Sequence, residues 1–181
     1  MEIINTSIPE VKIFKPAVFE DERGHFFESY REDVFSQLGL SLDFVQDNQS
    51  KSAKGIIRGL HFQANPFAQG KLVRVVKGAV LDVAVDIRLS SPTYGQSVVQ
   101  RLDEYNKLLF WVPPGFAHGF LTLEDDTIFS YKCTQYYNRD AEGAILWNSS
   151  TLDIPWGIEN PILSEKDRIA PKFADFKSPF Q

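Results

Sequence analysis

The sequence predicts an all-β protein, an antiparallel sandwich or barrel of the kind that includes the jelly roll. Three observations carry this expectation. About ten short strand-like pieces follow one another, separated by Gly, Pro, Asn, Asp or Ser. Strands and helices do not alternate along the chain, and no internal repeat is detectable. Only one stretch of any length has helical spacing.

Taken in order, Val11–Lys15 alternates apolar and polar residues before Pro16 and the turn Asp21-Glu22-Arg23-Gly24. His25–Tyr30 is aromatic and β-prone. Within 31–38, Val34, Phe35 and Leu38 recur at helical spacing and Gly39 stops the run, which predicts one short helix. Strands are expected at Phe44–Ser50 and Gly55–Phe62, on either side of a Ser-Ala-Lys-Gly turn. The valine-rich runs 71–77 and 79–87 are split by Gly78, so Lys71 opens a hairpin. In the second run Ala79, Leu81, Val83, Val85 and Ile87 face one way, and Val80, Asp82, Ala84 and Asp86 the other. Two carboxylates on an apolar strand either face water or line a polar cavity; Asp82 is the one placed in a cavity. After the turn Ser90-Ser91-Pro92-Thr93, strands follow near 95–102, 107–112, 118–123 and 127–137. Ser164–Asp167 reads as a turn or helix start, and the tail beyond Pro171 as partly irregular.

At 181 residues the chain suits one domain over 1–181 with a single well-buried core. Hydrophobic residues at 43% and fifteen Phe fit a compact globular protein. Nineteen basic against twenty-four acidic residues leave a net charge of −5 and no basic tract, which argues against nucleic acid. Local basic clusters still permit a small anionic ligand. Cys133 stands alone, so no internal disulfide forms and a cytoplasmic setting is expected. The N-terminus lacks a basic region followed by an apolar run, so no secretory signal is expected there. No apolar run approaches the roughly 20 residues of a membrane span.

Two stretches carry chemistry. Arg58-Gly59-Leu60-His61-Phe62-Gln63 and its continuation Gly70-Lys71-Leu72-Val73-Arg74 place a histidine, two arginines and a lysine on β-type sequence. A neutral histidine can act as a base near pH 7, and a nearby lysine can stabilise developing negative charge. That pairing suits removal of a proton beside a carbonyl; a hydrogen-bonded core histidine is the competing reading of His61 alone. The second stretch, Trp111-Val112-Pro113-Pro114-Gly115-Phe116-Ala117-His118-Gly119-Phe120, turns tightly and delivers His118 to the next strand. Its spacing resembles the second motif of cupin jelly rolls. The first cupin motif needs two histidines one residue apart, and the corresponding place here holds His61-Phe62-Gln63. With only His25, His61 and His118 in the chain, the local spacing of a metal site is absent, and no metal is expected.

From about residue 4 to 170 the chain resembles the dTDP-4-dehydrorhamnose 3,5-epimerase family. The segments that carry the resemblance are Phe19-x-Asp21-x-Arg23-Gly24 with Phe26-Phe27-Glu28, Gln46-Asp47-Asn48, Arg58–His61, Gly70–Arg74 and Asp82–Arg88. Pro114–Phe120, Tyr131-Lys132, Tyr136-Tyr137, Glu142 and Ser164–Asp167 complete the series. The resemblance implies a metal-free cupin jelly roll that needs no cofactor and acts as a homodimer on a dTDP-4-ketosugar. It implies His61 as general base, Asp167 as the partner that holds its tautomer, and Lys71 as stabiliser of the enolate oxygen, balanced by Asp82. Tyr131 would return the proton from the opposite face, with Tyr137 the alternative donor. Arg23, Glu28, Gln46, Asn48, Arg58, Lys71, His118, Glu142 and Lys166 would line the nucleotide-sugar site, Arg23 and Glu28 from the neighbouring subunit. Plainer readings compete: His118 could hydrogen-bond inside its turn, Asp167 could cap its own helix, and Arg23 and Arg58 could be solvated or ion-paired. His25 and Cys133 carry no expected role. Other functions left open are a single-centre ketosugar epimerase, a metal-dependent cupin oxygenase and a non-catalytic sugar-binding cupin.

Overall fold

A computed structural model describes residues 1–40 and 42–181. Its strands are β1 (Glu2–Asn5), β2 (Lys12–Lys15), β3 (Phe19–Asp21), β4 (Gly24–Phe26), β5 (Gln46–Ser52), β6 (Ile57–Gln63) and β7 (Lys71–Lys77). They continue with β8 (Ala79–Asp86), β9 (Ser97–Asp103), β10 (Leu109–Val112), β11 (Phe116–Thr122), β12 (Thr127–Cys133) and β13 (Glu142–Ala144). The α-helices are α1 (Glu32–Gln37) and α2 (Glu165–Arg168). Six strands form one sheet in the order β1-β2-β10-β7-β12-β5, and five form a second in the order β13-β6-β11-β8-β9. A separate hairpin joins β3 to β4. The pairings within both sheets are antiparallel, so the expected all-β sandwich forms.

Three apolar layers hold the sheets. Between them lie Val73, Val75, Phe110 and Phe129 of the first sheet against Val80, Ala84, Phe116 and Phe120 of the second. The outer face of the second sheet, with Leu60, Phe62, Val83 and Val85, is covered by Ile145, Trp147, Trp156 and Phe180. The outer face of the first, with Leu72, Leu109 and Trp111, is covered by Phe35 of α1 and by Tyr30, Leu42 and Phe44. Central strands buried on both faces read as near-continuous apolar runs, which is why β8 and β11 show so little polar alternation.

Several boundaries move from the sequence expectation. Strand β1 was not anticipated, because its side chains are mostly exposed at a sheet edge. Strand β13 was missed because its three residues, Glu-Gly-Ala, have no β-type pattern. Strand β12 stops at Cys133 rather than 137, where the Thr134 amide turns to the Gly70 carbonyl. Of 25–30, only the first two residues extend β4. The tail does contain a short 3-10 turn at Phe173–Asp175, and Phe180 is buried.

The two carboxylates of β8 share the inner face, as alternation requires, and neither meets water. Asp86 accepts from the Arg88 guanidinium at 2.7 and 2.9 Å, from Ser91 at 2.5 Å and from Thr93 at 2.6 Å, which fixes the turn after β8. Burial alone would raise its pKa, but these donors hold it down to about 2 from an ordinary 3.8. A depressed carboxyl contributes stability above its unfolded pKa and loses it as pH falls through the folded one. Asp86→Asn should therefore lower unfolding free energy at pH 7 by about 2–3 kcal/mol. In urea denaturation the gap to wild type should close as pH drops from about 4 to 2. A gap that stays constant over that window would detach the stability from the Asp86 charge.

Candidate active site

A cavity of about 400 Å³ opens between the two sheets, lined from β5, β6, β7, β11, β12 and the segment that leads into α2. His61, Lys71, Tyr131, Asp167, Arg58 and His118 all border it. His61 lies on β6 of the five-stranded sheet, and Lys71 and Tyr131 on β7 and β12 of the six-stranded one. Thus the candidate base and the candidate acid project from facing walls.

His61 Nε2 lies 2.5 Å from Asp167 Oδ1, and Asp167 is almost fully buried. The Asp167 carboxylate is not the cap of α2: Ser164 is, through its hydroxyl and the Asp167 amide at 3.2 Å. Burial would push the Asp167 carboxyl up, yet the bond and charge of His61, with Ser164 and the Gly59 amide, hold it below its ordinary value. Anchoring Nε2 on a carboxylate fixes the ring and leaves Nδ1 for a proton.

His118 makes a second pair of the same kind, with Nε2 2.8 Å from Asp82 Oδ1 and both side chains buried. The other Asp82 oxygen is buried without a hydrogen-bond partner among the described residues. Asp82 was expected to balance Lys71. Its direct partner is His118, and its influence on Lys71 is through space. No carboxylate among the described residues lies within ion-pair distance of Lys71. Burial lowers the pKa of its ammonium, partly offset by the charges of Cys133, Asp82 and Glu142.

Tyr131 packs against the core between the sheets, with Asn48 opposite it on β5. Burial raises the pKa of its phenol, while Arg58 and the Asn48 amide pull the other way. Tyr137 is exposed instead, with its hydroxyl donating to Glu142 at 3.1 Å, and does not border the cavity. Glu142 also pairs with Lys166. Burial would raise the Glu142 carboxyl, but Lys166, Tyr137 and the His61 charge bring it below its ordinary value. Gln46 donates to Asn48 at 3.1 Å and accepts from the Tyr137 amide at 2.9 Å. Gln46, Asn48, Tyr137, Glu142 and Lys166 thus form a polar rim next to the cavity without lining it.

Arg23 and Glu28 do not reach this cavity. Arg23 sits in the β3–β4 turn, with its side chain 85% exposed and paired to Asp21, and Glu28 pairs with Arg31 at 3.2 Å. Sequence reasoning passed over Ser52, which is buried and accepts from Arg58 Nε at 3.2 Å, tying β5 of one sheet to β6 of the other. It also passed over Phe120 and Phe129, stacked at 4.1 Å on the cavity wall. Nothing in their sequence context separates them from core aromatics. Among the described residues no three of His, Cys, Asp or Glu converge as a metal site, and no helix is long and apolar enough to cross a membrane.

Residues 5–175 match the family model described as dTDP-4-dehydrorhamnose 3,5-epimerase. The chain is 52% identical over 176 residues to the dTDP-4-dehydrorhamnose 3,5-epimerase of Shigella flexneri, covering 97% of each. To the Salmonella typhimurium enzyme of that name it is 54% identical over 173 residues, 94% of each. A crystal structure of the Legionella pneumophila dTDP-6-deoxy-D-glucose-3,5-epimerase in complex with dTDP-4-keto-L-rhamnose superposes with a TM-score of 0.95 at 46% identity. That match covers 99% of this chain and 98% of the other. With a family match over almost its whole length and relatives above 50% identity, the chain belongs to the dTDP-4-dehydrorhamnose 3,5-epimerase family.

Proposed function

We propose that the protein inverts carbons 3 and 5 of dTDP-4-dehydro-6-deoxy-D-glucose to give dTDP-4-dehydro-L-rhamnose. The observation that carries this reading is His61 on one sheet, paired with Asp167 of α2, facing Tyr131 and Lys71 on the other sheet across one cavity. The 4-keto group acidifies the hydrogens on both flanking carbons, so no redox cofactor is needed. His61 Nδ1 takes a proton from one of them, and Asp167 stabilises the imidazolium that forms. The C–H electron pair moves onto the ketone oxygen, where the Lys71 ammonium meets the enolate charge. Tyr131 then gives its hydroxyl proton to the same carbon from the other side, which inverts the centre. Solvent returns a proton to the tyrosinate and removes one from His61.

His118, oriented by Asp82, contributes its free ring nitrogen to the sugar. Arg58, braced by Ser52, and Lys166, beside Glu142, serve the diphosphate, with Gln46 and Asn48 at the nucleotide-sugar rim. Arg23 and Glu28 would complete a neighbouring site in a homodimer. Their distance from their own cavity and the exposed Phe19 and Phe26 of the same hairpin support that assembly. We assign the enzyme to the cytoplasm, a compartment that suits a lone free thiol.

The test is incubation with the dTDP-ketosugar in deuterated water, with labelled positions counted by NMR. Label at both carbons with inversion is expected; label at one alone would give a single-centre epimerase. In Tyr131→Phe the enolate still forms, so deuterium uptake should exceed net inversion, with inversion slowed about 10²–10⁴-fold. An unchanged ratio would pass the acid role to Tyr137.

The alkaline limb provides a second check. Burial lowers the Lys71 ammonium from its ordinary 10.5 and raises the Tyr131 phenol from 10.0, so the lysine is the group that loses its charge below its own ordinary range as pH rises. The exchange rate should fall below the ordinary lysine pKa, and the same fall should persist in Tyr131→Phe. Its disappearance in that variant would assign the limb to the tyrosine. Chelator-stripped protein, finally, should keep full turnover; activity lost and then restored by one divalent ion would sink the metal-free mechanism.

A further inference from the structure

One position of the sequence motif is not used by this mechanism. Gln63 stands where the second histidine of a metal-binding cupin motif would be, two residues beyond His61 on the same face of β6. It is only 5% exposed and every hydrogen-bonding direction of its amide group but one is used. Its Nε2 donates to the Phe67 carbonyl at 2.7 Å and to the Tyr136 carbonyl at 3.2 Å, and its Oε1 accepts from the Asn138 amide at 2.7 Å.

Two of those bonds grip the backbone on either side of Tyr137. Between them the Tyr137 amide is held by Gln46, and its hydroxyl reaches Glu142. Glu142 faces Gln63 across the β6–β13 register and carries the ion pair to Lys166 on α2, the residue before Asp167. Tyr136 and Tyr137 are 62% and 55% exposed, so their rings have little packing of their own to place them. A surface loop of this kind is mobile unless its backbone is tied down, and the ties here converge on one buried amide.

We propose that Gln63 is a positioning residue: acting through residues 136–138, it holds Tyr137 and the Glu142–Lys166 pair in the polar rim beside the cavity and sets affinity for the nucleotide sugar. This rests on the reading of the cavity as a dTDP-ketosugar site. Gln63 does not touch the reacting carbons in that reading, since His61, Lys71 and Tyr131 border the cavity and Gln63 does not, so it should act on binding and leave proton transfer alone. The metal-ligand position of the motif has then become a structural amide that serves the ligand from behind.

The experiment compares wild type, Gln63→Met, Tyr137→Ala and the double variant, with the dTDP-4-ketosugar as substrate and dTDP as the binding probe. Gln63→Met has nearly the same volume and removes all three bonds. Its KM and its dTDP Kd should rise at least about tenfold, while kcat stays within about threefold. Because Gln63 acts through the Tyr137 loop, the double variant should bind little worse than Tyr137→Ala alone. A merely structural glutamine would lower Tm without a selective effect on KM, and its effect would multiply with that of Tyr137→Ala; either result overturns the assignment. Should Gln63→Met fail to fold, Gln63→Glu keeps an acceptor for the Asn138 amide and loses both donors, and it should show the same KM-selective loss. If neither variant folds, Gln63 is structural and the assignment falls. Wild type that fails to bind dTDP would overturn the site itself together with this inference, whereas normal wild-type binding with unaffected variants removes Gln63 alone.

Discussion

How closely β6 and β11 approach at Gly59 and Gly119 governs everything at the site. A Cβ on Gly59 would lie 2.5 Å from the Gly119 Cα and 2.8 Å from the His118 carbonyl oxygen. One on Gly119 would lie 2.8 Å from the Arg58 carbonyl oxygen. Gly59 also has a φ of +133°, which side-chain-bearing residues rarely adopt. The register between the two strands shifts at this point, between His118 and Phe120. The consequence is a change of parity along β6. In a regular strand residues three apart face opposite ways, yet Arg58 and His61 both border the cavity. Ile57, Leu60 and Phe62 pack in one outer cluster despite their mixed spacing, as a bulge-like irregularity allows. The same contact sets His61 directly across from His118, so both histidine–aspartate pairs meet one space.

That space carries more buried charge than a core of this size tolerates unless each group is paired. Asp167 is committed to His61, Asp82 to His118 and Glu142 to Lys166. Two cations are left without a carboxylate partner among the described residues, Lys71 and Arg58, and Arg58 is steered by a neutral serine. An anion entering the cavity therefore meets two cations not yet compensated by a carboxylate, of which Lys71 is the desolvated one and Arg58 the exposed one. Lys71, whose pKa burial lowers, has the most to gain from a developing oxyanion. The unpartnered Asp82 oxygen is the counterpart of this arrangement: it leaves negative potential beneath Lys71 without neutralising it through a direct bond.

Much of this was legible in the residues, and what was not has physical reasons. The central strands, the hairpin opened by Lys71 and the helix at 31–38 followed from apolar runs broken by Gly and Pro. Strand β13 did not, because Glu-Gly-Ala gains its ladder only from β6 beside it. His61, Lys71, Tyr131 and Asp167 came into view through motifs quoted from across the chain, though no local pattern could bring residue 167 to residue 61. The burial of Ser52 and Gln63, and what each holds together, stayed out of sight for a different reason. A serine on a polar edge strand and a glutamine after an aromatic have no sequence signature of burial, and their roles exist only once facing sheets and the 136–138 loop are assembled. Of the two carboxylates on β8 the sequence places only Asp82 in a cavity, and Asp86 is kept inside as well by four donor groups from the turn that closes over it.

Why a sandwich suits the proposed chemistry follows from where it places the proposed acid and base. Inversion requires a proton to leave one face of a carbon and arrive at the other, so the two groups must stand on opposite sides of the sugar ring. Aligned sheets pack about 10 Å apart, a gap ordinarily filled by interdigitated side chains. Here Phe120 and Phe129 fill it up to the cavity wall and then stop, leaving room for a ring between His61 on β6 and Tyr131 on β12. Neither strand is free to drift. Tyr131 is fixed through its ladder to β5 and β7, His61 through its ladder to β11 and β13. Ser52 and Arg58 join the two sheets at the same mouth. The distance between the proposed base and acid is thus set by core packing rather than by a loop, and in that proposal one pair of groups can serve two ring positions if the sugar, not the protein, changes its pose between them.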